Sequence, residues 1–287
     1  MKPAAFDYHR PQTLGEALEL LAELGDEARP LAGGQSLVPM MNMRVARPEH
    51  LVDLNDLAEL DFIGVTDRAV EIGAMTRHRA VEHSEPVTRS CPILPVVVHT
   101  IGHDAIRERG TLGGSLALAD PSAQWPLLAV LLDARIELAS QSGRRSVAAG
   151  AFFTGVFATA AEPGELVVAA SFPKLAPGEG WGYRSFTRRL GDFAIVAAAA
   201  TVSLGPAGRI ETLRLTLSGV GDRPVRLDAV TDRFRGRALD AAELGRAVAA
   251  AVTLEDDAIA GAPFRRDLTE VLSTEAVNEA AQRARVR

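Results

Sequence analysis

Two short stretches set a glycine pair beside hydroxyl residues: Ala32-Gly33-Gly34-Gln35-Ser36 and, further along, Thr111-Leu112-Gly113-Gly114-Ser115. Two successive glycines can turn neighbouring main-chain N–H groups toward one point, and without Cβ atoms they let a phosphate come close. Ser36, Thr111 and Ser115 add hydroxyl donors. The chemistry this suits is the binding of a diphosphate. Each stretch by itself more often marks a tight turn or bulge, and it is the pairing of two that points to a ligand. Neither fits Gly-x-Gly-x-x-Gly or Gly-x-x-x-x-Gly-Lys-Ser/Thr, so folds built on those nucleotide fingerprints are not expected. Bulkier residues at either pair are expected to empty the site and leave the fold largely intact.

Other reactive residue types form no comparable pattern. His78, His83, His99 and His103 lack metal-ligand spacing, and neither Ser36 nor Ser115 sits in a Gly-x-Ser-x-Gly elbow. Cys91 is the single cysteine, which excludes an intrachain disulfide and any iron–sulfur cluster held by this chain alone. It precedes Pro92 in an apolar region and reads as inert. No residue reads as a substrate-activating acid or base, so neither catalytic nor metal-ligating residues are expected. Arg107 and Arg109 flank the second glycine stretch and suit either phosphate neutralisation or surface ion pairs.

The elements that must position these stretches can be read from periodicity. Residues 13–24 form an amphipathic helix with Leu14, Ala17, Leu18 and Leu21 on one face, a Thr13/Glu16 capping box and Gly25 as its stop. Strands are expected at 29–32, 50–54, 61–65, 69–74, 135–140 and 165–173, while 92–102 is ambiguous. A Gly-rich turn at 111–115 and a helix opening at Asp120-Pro121, with Asp120 as N-cap, complete an α/β pattern. The Gly- and Pro-rich 173–182 reads as a boundary, followed by strands and then helices at 240–253 and 267–286, an α+β arrangement.

The whole chain bounds the function class. It has 287 residues, 47% hydrophobic and 24% charged, with net charge −6 and no basic concentration that would favour nucleic acid. No apolar run reaches the ~18 residues of a transmembrane segment. The start "MKPAAFDYHRP" lacks the apolar core of a signal peptide, which makes a cytoplasmic protein the expectation.

"PLAGGQSLVPMMNMRVARPEHLVDLNDL" and "IRERGTLGGSLALADPSAQWP" resemble the two flavin-binding signatures of the FAD-carrying medium subunit of molybdenum hydroxylases, the xanthine and carbon monoxide dehydrogenase family. "MKPAAFDYHRPQTLGEAL", "VEIGAMTRH" and "FTRRLGDFAIVAAAA" extend the likeness through residues 1–205. The resemblance implies an FAD-binding domain at 1–175, made of two small α/β subdomains of the vanillyl-alcohol-oxidase type divided near 55–60. It implies a C-terminal domain at 176–287 with a three-stranded antiparallel sheet and helices. By carry-over, Ala32, Gly33, Gly34, Gln35 and Ser36 with Thr111, Leu112, Gly113, Gly114 and Ser115 would cradle non-covalent FAD. Asp120 would lie near the ribityl and ring region, and Phe193, which on residues alone reads as a core aromatic, would lie against the ring. Where relatives often have His before Ala-Asp-Pro, this chain has Leu118, and Gln124 stands where Glu is common.

The function implied is electron transfer. A molybdenum-cofactor large subunit oxidises a small substrate, [2Fe–2S] clusters of a small subunit relay the electrons, and FAD on this chain passes them to an external acceptor. A dimer of heterotrimers is the implied assembly. Two other readings stay open on the residues: a stand-alone FAD-dependent oxidase acting directly on a small substrate, and a non-catalytic nucleotide-binding protein.

Overall fold

The computed structural model describes residues 2–285. The Leu14–Leu24 helix forms where its pattern places it: Thr13 accepts from the Glu16 N–H, Gly25 closes it, and Leu14, Ala17, Leu18 and Leu21 are buried. That face packs with Val52, Leu54, Leu57 and Leu60. It covers a parallel sheet ordered Asp7–His9, His50–Asp53, Ala28–Leu31. A helix joining two strands of one parallel sheet is a βαβ crossover, and it delivers the chain after Leu31 to the carboxyl edge of the strands, where ligands of α/β folds bind. The first glycine pair begins there.

The parallel sheet ends at Asp53, and a second, wholly antiparallel sheet starts at Ile63. Its order is Ile63–Val65, Ala69–Gly73, Leu166–Pro173, Arg135–Ser140, Gly143–Ala148. Short helices between His78 and Leu131 share its core. The ambiguous 92–102 contains the helix Ile93–Val98, where Pro95 falls in the first turn and removes no hydrogen bond.

Two expected local structures are corrected. The stretch 111–115 is the opening of the helix Leu112–Leu118, with Thr111 as N-cap accepting from the Gly114 N–H. The next helix begins at Gln124 with Ala123 as N-cap, so Asp120 does not cap it. Ala119, at φ +53, has already bent the chain out of the preceding helix, and Asp120 instead closes the turn by accepting from the Ser122 N–H at 2.8 Å.

The helix Gln124–Leu131 is buried at every residue because it lies between the two halves of the chain. Gly180–Phe186, Val196–Leu204 and Ile210–Ser218 form the C-terminal antiparallel sheet, with the two-residue strand Val225–Arg226 at its edge. Ala200, Val202, Leu213 and Leu215 share a core with the helices Ala241–Ala251 and Ala262–Arg285. The alternate residues Tyr183, Ala197 and Ala199 share the core of Trp125, Leu127 and Leu128. Gly180 and Gly182 let the last helix lie on the strand backbone: a Cβ there would stand 1.9 Å from the Ala280 carbonyl oxygen and 2.0 Å from that of Ala276. That helix starts at Ala262, ahead of the expected 267. No helix among the described residues is long and apolar enough to cross a membrane.

Candidate functional site

The loop Ala32–Ser36 joins the strand Ala28–Leu31 to the helix Leu37–Asn42. Gly34 sits at φ +73, a conformation that costs an L side chain about 1 kcal/mol or more. Among the described residues, the main-chain N–H groups of Gly33, Gly34, Gln35 and Ser36 donate to no protein acceptor. Gly33 is buried and the other three are partly so, which leaves four consecutive donors available to water or to an acceptor on a ligand. The Ser36 hydroxyl is half-buried and makes no hydrogen bond within the described protein. A diphosphate fits this surface.

The second glycine stretch lies against the first. A Cβ on Gly33 would stand 2.1 Å from the Arg109 carbonyl oxygen, and one on Gly114 would meet Ala32 Cβ at 3.6 Å. The amides after Thr111, however, are spent inside the protein. Leu112 N–H donates to Thr76 O at 3.1 Å, Gly113 N–H to Ala74 O at 2.8 Å, and Gly114 N–H to Thr111 Oγ1 at 3.1 Å. Gly113 is a glycine because Ala74 occupies the place of its Cβ, at 2.5 Å from Ala74 Cβ. The second stretch therefore offers the Thr111 N–H and the Ser115 hydroxyl, and its glycines serve the fit between segments.

Side chains that the sequence reading did not single out hold the two stretches together. Asn55 Nδ2 donates to Ala32 O at 3.0 Å, and Asn55 Oδ1 accepts from Arg77 at 2.6 Å. Arg77 also donates to Arg109 O at 2.9 Å, so one chain of hydrogen bonds spans both loops. Behind it Asp53 accepts from Asn55 and from the Tyr8 hydroxyl. That hydrogen bond, with burial second, raises the Tyr8 pKa and keeps the phenol neutral. The polar Asn55-Asp56 pair directly after an apolar strand was the available signal.

Under the second stretch, His78 Nδ1 accepts from the Trp125 indole at 3.1 Å. Indole only donates, so the His78 proton sits on Nε2, toward Gly110, where a Cβ would lie 2.7 Å from that nitrogen. Burial, then the charges of Arg107 and Arg77, push the His78 pKa down to about 3. An unfolded histidine takes a proton below about pH 6.5, and this one refuses it until far lower, so its contribution is complete above pH 6.5 and lost as pH falls toward 3. The chain is expected to lose about 2 kcal/mol through this group between pH 6.5 and 5. Thermal melts across that interval should show a flatter pH slope for His78→Gln than for the wild type; equal slopes would discount the group.

Arg107 is not a phosphate ligand. Its side chain is buried and pairs with Glu82 at 2.8 Å and with Asp104, tying the Asp104–Arg109 helix to the His78–Glu82 helix. Asp120 is half-buried and burial raises its carboxyl pKa. Phe193 is 54% exposed, which corrects the reading of it as a core aromatic. The segments that follow Asp120 and Phe193 meet at Gly219, whose N–H donates to Pro121 O at 3.1 Å and whose missing Cβ admits Ile195 O. Cys91 is buried and its thiol is pushed up to about 12, which keeps it protonated and inert. A cavity of about 530 Å³ lined by Asp133, Phe153, Asp222, Arg223 and Arg226 lies away from both glycine stretches. Arg226 is already paired there with Asp133 and Asp228.

Comparison with known proteins agrees over the whole chain. Residues 4–175 match the family described as FAD binding domain in molybdopterin dehydrogenase, and residues 181–280 match the CO dehydrogenase flavoprotein C-terminal domain. The carbon monoxide dehydrogenase medium chain of Afipia carboxidovorans is 38% identical, over 99% of this chain and 100% of that one. The glyceraldehyde dehydrogenase medium chain of Sulfolobus acidocaldarius is 36% identical, over 98% and 100%. Among solved structures, carbon monoxide dehydrogenase from Hydrogenophaga pseudoflava superposes with a TM-score of 0.95 at 34% identity, covering 99% of each chain. Quinoline 2-oxidoreductase from Pseudomonas putida 86 does so with 0.94 at 36% identity, again over 99% of each.

Proposed function

The chain belongs to the FAD-binding medium subunits of the molybdenum hydroxylases, and from that premise we propose that it is the FAD-carrying electron-transfer subunit of a multi-subunit oxidoreductase. The observation that carries this is the run of unbonded N–H groups at Gly33, Gly34, Gln35 and Ser36, set against Thr111 and Ser115. These atoms and the Ser36 hydroxyl would hold the diphosphate and ribityl chain. The protein's part is to bind and orient the flavin, and FAD when bound supplies the exchange of electrons between one-electron and two-electron partners. Ala32, Leu112, Gly113 and Gly114 shape the cradle, while Asp120 and Phe193 would border the ring end. We take 1–175, divided near 55–60, as the FAD-binding unit and 176–287 as the C-terminal domain.

The electrons would come from [2Fe–2S] clusters of a small subunit, fed by a molybdenum-cofactor large subunit, and leave to an external acceptor. A dimer of heterotrimers in the cytoplasm is the assembly proposed. Medium chains of a carbon monoxide and of a glyceraldehyde dehydrogenase align with this chain from end to end. One architecture thus serves different substrates, as expected if substrate choice resides on another subunit. A stand-alone oxidase is not favoured, because the relatives are medium chains and subunits of larger enzymes.

The test is an absorption spectrum of the chain purified alone and with its co-expressed partners, followed by acid release of any flavin. Stoichiometric, non-covalent FAD that is reduced only when the partner subunits and their substrate are present is the expected result. Reduction by a small molecule on this chain alone would overturn it in favour of an oxidase, and no flavin under either condition would overturn both.

A further inference from the structure

Arg77 differs from the two buried arginines, Arg107 and Arg265, in lacking an acidic partner. Arg107 is paired with Glu82 and Asp104, and Arg265 with Asp257. Arg77 is half-buried, and among the described residues its guanidinium touches only neutral acceptors, Asn55 Oδ1 and Arg109 O. The carboxylate of Asp53 stands one side chain away, behind Asn55. Burial lowers the Arg77 pKa, and the Arg109 charge lowers it further, while Asp61 and Asp53 oppose this. Arg109 is exposed, and its side chain makes no hydrogen bond or ion pair in the described protein. Arg77 thus stands at the seam of the glycine stretches, within reach of the Arg109 charge and in direct contact with no anion.

Burying a cation part-way without a counter-charge is costly, and chains usually avoid it. Arginine offers five N–H donors and Arg77 uses two of them within the protein, leaving three at the seam. The main-chain donors at 33–36 supply hydrogen bonds but no formal charge, whereas a diphosphate diester carries two negative charges. We propose that Arg77, assisted by Arg109, provides the counter-charge for the diphosphate of the bound dinucleotide, and that the same guanidinium sets the spacing of the two glycine stretches. This rests on the FAD reading above. It makes Arg77 both strut and anion ligand, a role none of the quoted motifs assigns it.

The two roles separate experimentally. The full-length chain, stripped of flavin, is titrated with FAD at low and high salt, with inorganic pyrophosphate as a competing probe. Arg77→Met is expected to raise the FAD dissociation constant by about 10- to 100-fold, the range of a lost charge-assisted hydrogen-bonding group, and to flatten its salt dependence. Pyrophosphate should compete in the wild type and much less in the variant. Arg77→Lys should keep the salt dependence and recover part of the affinity. Arg77→Gln retains amide donors and acceptors without charge, so normal FAD affinity and salt response in Arg77→Gln would reduce Arg77 to a strut and overturn the proposal. If Arg77→Met fails to fold, the Gln and Lys pair decides by itself. Absence of FAD binding by the wild type would instead remove the functional reading on which the proposal stands.

Discussion

Gly33→Ala is expected to empty the flavin site and to destabilise the N-terminal domain in the same stroke. The added methyl would meet the Arg109 carbonyl oxygen at 2.1 Å and its carbon at 2.8 Å, with Gly110 Cα at 2.9 Å. Backbone cannot step aside as a flexible side chain can, so the two loops must part. Overpacking of this kind costs about 1–3 kcal/mol, and the separation it forces breaks the spacing that Arg77 and Asn55 maintain. Flavin content after purification should fall more than about tenfold, with a thermal midpoint lower by several degrees. Gly114→Ala is the informative control. Its methyl meets Thr111 Oγ1 at 2.9 Å and Ala32 Cβ at 3.6 Å; moving that hydroxyl weakens the Thr111 cap by about 1 kcal/mol, which the better helix propensity of alanine, also about 1 kcal/mol, offsets. A Gly114→Ala protein with a near-normal midpoint beside a destabilised Gly33→Ala protein supports the assignment; equal, wild-type flavin content in both removes it. The sequence-based expectation that either pair could be enlarged with the fold intact is corrected for Gly33 and Gly113, whose missing side chains make room for protein.

Gly182→Val should be more damaging still, although it lies far along the chain from both glycine motifs. Its Cβ would fall 2.0 Å from Ala276 O, within the backbone of the Ala262–Arg285 helix. That helix can only move outward, taking Ala276, Val277 and Ala280 off the sheet they cover. A loss at the upper end of the about 1–3 kcal/mol typical of overpacking, or beyond it, is expected, enough to bring a marginally stable domain to insolubility. The damage should also reach the flavin. Tyr183 and Ala199 share a core with Trp125 and Leu128, and Trp125 supports His78 beneath the second glycine stretch. Thermal melts with flavin quantification check both parts. A soluble Gly182→Val protein with an unchanged midpoint would refute the packing argument, and a destabilised one with full flavin would refute the coupling.

Much of this molecule is legible in its residues taken in order. Local periodicity and capping determine the Leu14–Leu24 helix and its buried face, because hydrogen bonds and apolar neighbours three and four residues apart are all it needs. Six of the eight strands of the two N-terminal sheets follow from short apolar runs between polar breaks, whereas the edge strands Asp7–His9 and Gly143–Ala148 carry no such run and are set by pairing with their neighbours. The two glycine stretches carry the family resemblance in their residue types alone. The role of each glycine, by contrast, depends on what stands opposite it. Gly33 faces Arg109 O and Gly113 faces Ala74, partners brought in by other segments. The same holds for donors: whether an amide is free for phosphate is decided by the acceptors around it, and the fold gives Ala74 O and Thr76 O to the second stretch and nothing to Gly33, Gly34, Gln35 and Ser36. The roles of Asn55, Arg77 and His78 could not be read from the sequence for that reason, since their partners Ala32, Arg109 and Trp125 are distant in the chain. Types and spacing determined what kind of ligand this protein is built around; the tertiary structure decided which donors are left unsatisfied, because hydrogen-bond satisfaction and close packing belong to the assembled neighbourhood and to no single segment.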